Sequence, residues 1–138
     1  MCHINAVDEL TQWEVLRAAE KITDKYLLPL LEKIITTYSY RIINFHCDSR
    51  PRHTNALIET KNGWIVRKWP GYSHIKKEHA NQINDFYFNY FHEYLKLHRS
   101  CAFAGEVINN KGKIKEKYQY QDSQIPYENQ RSLPDIQK

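Results

Sequence analysis

Two carboxylates and the basic stretch between them are the residues of this sequence whose types and spacing suggest chemistry. Ten residues separate Asp48 from Glu59, and the connection reads "SRPRHTNALI". Asp48 ends an apolar run that reads as a strand, and Glu59 falls where a helix is expected. Carboxylates at a strand end and on a neighbouring helix can hold Mg²⁺ or Mn²⁺, hard ions that prefer oxygen ligands. Two such ions about 4 Å apart clamp the attacking and leaving oxygens of a phosphodiester in line. The surrounding charge suits such a substrate. Residues 49–77 carry seven Lys and Arg against one acid, a net of +6, although the whole chain sums to only +4. Trp64, Trp69 and Tyr72 interleave with these cations. Basic side chains beside aromatic ones are the pattern a polyanion partner requires. The plainer reading is a solvated basic face with two surface acids, and spacing alone does not choose between the two.

Other chemistry is poorly provided for. The three cysteines, Cys2, Cys47 and Cys101, are odd in number and form no C-x-x-C pair, which argues against a disulfide framework or a zinc knuckle. The seven histidines show no metal-ligand spacing alongside them. No apolar run approaches the roughly 20 residues of a membrane helix. The opening "MCHINAVDEL" has acids where a secretion signal has basic residues and then an apolar run. The expectation is a cytoplasmic chain with no membrane contact and no small-molecule substrate.

At 138 residues the chain has the length of one domain. "HINAV" at 3–7 and "QWEVLRAA" at 12–19 predict two strands around a polar turn at Asp8-Glu9. Thr23 is a suitable N-cap, and the spacing of Leu27, Leu28, Leu31, Ile34, Ile35 and Tyr38 predicts an amphipathic helix over 24–37, bent by Pro29. "RIINFHC" at 41–47 predicts a buried strand. A second helix is expected from Thr54 or Asn55 to just before Pro70, with Ile58, Ile65, Val66 and Trp69 near one face and Gly63 weakening its middle. The clearest periodicity, Ala80, Ile83, Phe86, Tyr87, Tyr90, Phe91, Tyr94 and Leu95, predicts a helix over roughly 76–98 whose aromatic stripe serves the core or a partner. "EVINNKGKIKEKYQY" predicts a hairpin turning at Asn110–Gly112. The polar tail from Gln121 should be loosely attached.

Taken in order, "HINAVDELTQWEV", "ITDKYLLPLLEKI", "IINFHCD", "SRPRHTNALIETKNGWIVRK" and "GYSHI" resemble the catalytic core of bacterial insertion-sequence transposases. That core belongs to the retroviral-integrase (DDE) superfamily, and the resemblance runs over residues 3–134. It implies an α/β, ribonuclease-H-like fold with a mixed sheet and flanking helices. It also implies Mg²⁺ or Mn²⁺ as cofactor and DNA as partner. In such enzymes an Asp, a second Asp and a Glu bind the metals. Asp48 matches the second acid and Glu59 the third, so both are the implied catalytic and metal residues. Arg50, Arg52 and His53 match the basic loop before the glutamate. Lys61, Asn62, Arg67 and Lys68 would line the helix facing DNA.

The sequence departs from that family in two places. Relatives carry a turn, a helix and another strand between the second and third acids, whereas "HCD" here runs straight into "SRPRH". The first Asp belongs on a strand preceding "HINAV", and the sequence begins at Met1-Cys2. The resemblance therefore implies an incomplete core over 3–99, lacking the first strand and the segment between Asp48 and Ser49. A hairpin and tail would follow over 100–138. The expected function is that of a transposase remnant, inactive by itself. The alternative is a non-catalytic module that binds DNA, pairs with full-length transposase or self-associates.

Overall fold

The structure is a computed structural model that describes residues 1–46, 61–69, 71, 73–109 and 112–134. Two strands open it: β1 (Cys2–Val7) and β2 (Glu14–Ala19), antiparallel with Cys2 opposite Ala19 and Val7 opposite Glu14. The turn between them is built by Asp8, whose carboxylate accepts hydrogen bonds from the Thr11 backbone N–H (2.8 Å) and hydroxyl (2.5 Å). Gln12 closes it at φ 58°, a left-handed conformation that costs a non-glycine residue free energy. Tertiary contacts hold it there: its side-chain amide donates to the Ala102 carbonyl (2.8 Å), and its own carbonyl accepts from Lys61 Nζ (3.1 Å).

Every residue of β2 is buried. Side chains alternate across a strand, so β2 serves two clusters. Leu16 and Ala18 pack with Ile65, Ala80, Tyr87, Phe91 and Leu95. Val15 packs with Trp13, Ile34 and Tyr38. The second cluster is closed by α1 (Asp24–Thr37), whose Ile34 is fully buried. Thr23 occupies the N-cap position as expected but caps through its backbone, its carbonyl accepting from the Tyr26 and Leu27 amides, with no side-chain capping bond. Pro29 lies inside this helix. Beyond it, Tyr38 packs edge-on against Trp13 (centroids 5.0 Å apart) and donates its hydroxyl hydrogen to the Ala6 carbonyl (3.0 Å).

The first cluster is closed by a continuous helical rod. A 3₁₀ turn (Lys77–His79) leads into α2 (Ala80–Phe86), a π-helical stretch (Tyr87–Phe91) and α3 (His92–Leu97). Two polar side chains of this rod complete the open edge of β2. Asn84 accepts from the Ala18 amide (2.7 Å) and donates to the Ala18 carbonyl (2.8 Å), as a neighbouring strand would. His92 Nε2 sits 3.0 Å from the Leu16 nitrogen and 2.9 Å from its oxygen. An unpaired strand edge is thereby satisfied without a third strand.

A second antiparallel pair, β3 (Ala104–Ile108) and β4 (Ile114–Tyr118), forms the expected hairpin. Gly112 supplies the positive φ of 71° that its turn requires. The chain then pairs Gln124 with Cys101 and enters α4 (Pro126–Ser132).

The architecture is mixed α/β, with two separate two-stranded antiparallel sheets among the described residues, one of them the C-terminal hairpin. Two expectations are corrected. Residues 41–46 form no strand: Ile42 packs against the second cluster, but Ile43 is 88% and Phe45 47% exposed. A strand needs a hydrogen-bonding neighbour, and among the described residues no strand pairs with this run. The tail is not loose through residue 132. Pro126 is buried at the first turn of α4, Gln130 donates to the Ser39 hydroxyl (3.0 Å), and Lys96 bridges the Trp13 and Tyr127 rings.

Candidate nucleic-acid interface

Asp48, Arg50, Arg52, His53 and Glu59 lie outside the described residues, as does the expected start of the second helix. The end of that helix is described: Lys61 and Asn62 are α-helical, and Gly63–Lys68 continue as a π-helical turn that stops at Trp69. Gly63 sits at the junction of these two helical forms. Burial divides the four described candidates: Lys61 is buried, Asn62 half-buried, and Arg67 and Lys68 are exposed. Lys61 and Ile65 point inward; Trp64, Arg67 and Lys68 point outward.

Lys61 therefore does not face a partner. It is 4% exposed. Its ammonium donates to Glu14 Oε1 (2.9 Å) and to the Gln12 carbonyl, with Cys101 Sγ 3.5 Å away. Glu14, 1% exposed, also takes Arg99 Nη1 on the same oxygen and the Asn5 amide on the other (3.1 Å). Asn62 is half-buried and accepts from Asn5 (2.9 Å). The cause is electrostatic. A carboxylate on a fully buried strand must be paired or lose its charge, and Lys61 and Arg99 are the cations within reach. This network ties β1, β2, the end of α3 and the turn that follows Glu59 into one unit. A signal was readable in part, because Glu14 and Arg17 are charged residues in a strand that is apolar at its other positions. Its partner Arg99 lies 85 residues away with nothing in the local sequence to announce it.

Arg67 and Lys68 are exposed, and the Lys68 ammonium stands 3.9 Å from the centroid of the Trp64 ring. Beside them runs a shallow groove of about 220 Å³, lined by Trp64, Ile65, Trp69, Tyr94, Leu95 and Arg99. Trp69 also lies 5.1 Å from Phe91 and 5.9 Å from Tyr94, centroid to centroid. The aromatic stripe of the rod is thus divided. Tyr87, Phe91 and Leu95 serve the core, whereas Phe86, Tyr90 and Tyr94 are 44%, 68% and 40% exposed. Arg99 in its lining is paired with Glu14, and Lys68, over the Trp64 ring, is the free charge at its edge, an arrangement that suits a ligand with flat apolar surfaces and negative charge.

Burial shapes the ionisable groups near the core. It pushes the Tyr87 phenol up to about 12, and it lowers His92 to about 4, with Arg17 adding to the effect. His3, which bonds the Tyr87 hydroxyl (2.9 Å), is also lowered by burial. Among the described residues no group of three or more His, Cys, Asp and Glu side chains is placed to hold a metal ion. Among the same residues no helix is long and apolar enough to cross a membrane. No family model, curated protein or solved structure matches the chain.

Proposed function

We propose that the chain is a remnant of a DDE-type transposase catalytic core that binds DNA and does not carry out strand transfer by itself. The ordered motifs of residues 3–75 are what suggest that lineage, and an incomplete ribonuclease-H-like core is the fold it implies. An antiparallel β1–β2 pair followed by α1 is compatible with that order of elements. The observation that carries the binding part is the outward face holding Arg67, Lys68 and Trp64, within a segment of net charge +6. Phosphate contacts from such a face position a nucleic acid without reading its sequence. Asp48 and Glu59 remain the residues that would hold Mg²⁺ or Mn²⁺. Loss of catalysis follows from the sequence between them: ten residues replace the helix and strand of the family. They can span roughly 30 Å, so reach is not the obstacle. What is missing is the helix and strand that would cover the remaining elements and hold the two acids in place for two-metal chemistry. Acting on DNA, the chain would work in the cytoplasm.

Binding is tested by fluorescence anisotropy with labelled DNA over a range of salt concentrations. Affinity should fall steeply with salt, and replacing both Arg67 and Lys68 by Ala should reduce the log–log slope by about 2. Salt-independent binding, or none, would remove the reading. Mg²⁺-dependent nicking that disappears in Glu59→Gln would refute the loss of catalysis.

A second reading, pairing with full-length transposase or with itself, is favoured by exposed Ile43 and Phe45, apolar side chains that a partner would cover. Sedimentation of the chain alone and mixed with such a transposase tests it.

A further inference from the structure

The aromatic surface beside Arg67 and Lys68 is larger than contact with a phosphate backbone requires. Trp64 and Trp69 are 57% and 58% exposed, although Trp69 lies 5.1 Å from Phe91 of the apolar cluster and Trp64 lines a groove with that cluster's Ile65 and Leu95. Their groove has Ile65 and Leu95, both almost fully buried, among its lining. Tyr94 extends the surface along the rod. It stacks nearly parallel on Phe91 (6.1 Å, 13°) and on His98 (6.2 Å, 27°).

Size and charge narrow the occupant. At about 220 Å³ the groove is smaller than the roughly 300 Å³ at which enclosed small-molecule sites begin. It is open and suits a flat ring laid against an aromatic face. Among the described residues no acid lines it. Arg99, which lines it, is paired with Glu14, so the free charge at its edge is Lys68, whose ammonium stands over the Trp64 ring, with exposed Arg67 next to it in the chain. A polyanion that also presents flat rings complements both properties at once. A duplex meets only half of this, because its bases are stacked on one another and their faces are unavailable.

We infer that the groove edged by Trp64, Trp69 and Tyr94 is a stacking platform for unpaired bases of single-stranded DNA, with Arg67 and Lys68 holding the adjoining phosphates. This rests on the DNA-binding reading and narrows it to a single strand. Base–aromatic stacking tolerates any base, since each has a π-face, so the site selects strandedness and not sequence.

The test uses the full chain, a labelled oligo-dT strand and a duplex of the same length, with binding read by anisotropy and by tryptophan fluorescence. The strand should bind at least about tenfold more tightly than the duplex and should quench the tryptophans. Trp64→Ala and Trp69→Ala should each weaken strand binding by about tenfold and change duplex binding by less than about twofold. Trp69→Phe should keep most of the affinity and Trp69→Leu should lose it, with thermal melts confirming that both variants fold. A structural role for Trp69 predicts instead that Phe and Leu behave alike. Equal affinity for strand and duplex, or unchanged strand binding in both Ala variants, would overturn the platform and leave DNA binding standing. Absence of salt-sensitive binding to either probe would overturn the underlying reading as well.

Discussion

Mild acid should weaken the fold through one side chain, His92. Its ring is 5% exposed, its Nε2 engages the Leu16 backbone, and its Nδ1 has no hydrogen-bond partner among the described residues. Protonation would therefore place a charge in the core, near Arg17, with nothing to accept the second N–H. Burial lowers the ring from 6.5 to about 4 in the folded chain. Between those two values the unfolded chain binds the proton and the folded one does not, so stability falls as pH falls from about 6.5 towards 4. Integrating the linkage relation from pH 7 to pH 5 gives a loss of about 2 kcal/mol from this residue. For a domain of this size that corresponds to roughly 8 °C in Tm. Urea unfolding followed by circular dichroism at pH 7, 6 and 5 measures it. His92→Gln retains a side-chain group able to bond Leu16 and does not titrate, so its pH slope should be shallower than the parent's by that amount. His3, lowered in the same direction, contributes equally to both proteins and cancels. Parallel pH profiles for parent and variant would refute the assignment of a neutral, buried His92.

Two further predictions concern stability. Glu14→Gln leaves the Lys61 ammonium buried without its carboxylate and should destabilise the fold by about 3–5 kcal/mol in urea unfolding. Adding Lys61→Met should recover part of that loss, and a strictly additive double variant would mean that the pair is not coupled. Ile43→Ala should change stability by less than about 0.5 kcal/mol, because the side chain is 88% exposed. A loss of 2–5 kcal/mol, the usual result for a buried large-to-small change, would show that 41–46 is core after all.

Local pattern was enough for β1, β2, α1, the 80–97 rod and the β3–β4 hairpin. In each, the apolar period or the turn residues set the element, a property of a few consecutive residues; β2 nevertheless starts at Glu14 and not at Gln12, which the turn takes, and the rod is π-helical over Tyr87–Phe91. Asp8 bonds Thr11 within its own turn, although Gln12, which closes that turn, is held by the distant Ala102 and Lys61. Local pattern also located the basic, aromatic segment that carries Arg67, Lys68, Trp64 and Trp69. It did not decide which of those side chains point outward. Lys61 turned inward because a carboxylate from a distant strand, Glu14, had no water to solvate it. The "RIINF" run has the composition of a strand, but pairing depends on a neighbour, and among the described residues no strand pairs with it. The polar tail formed α4 because Trp13, Lys96 and Ser39 provided a surface on which to dock. Composition and periodicity are carried by neighbours in sequence; burial, charge pairing and strand pairing are settled between residues far apart in the chain, where only the folded arrangement brings them together.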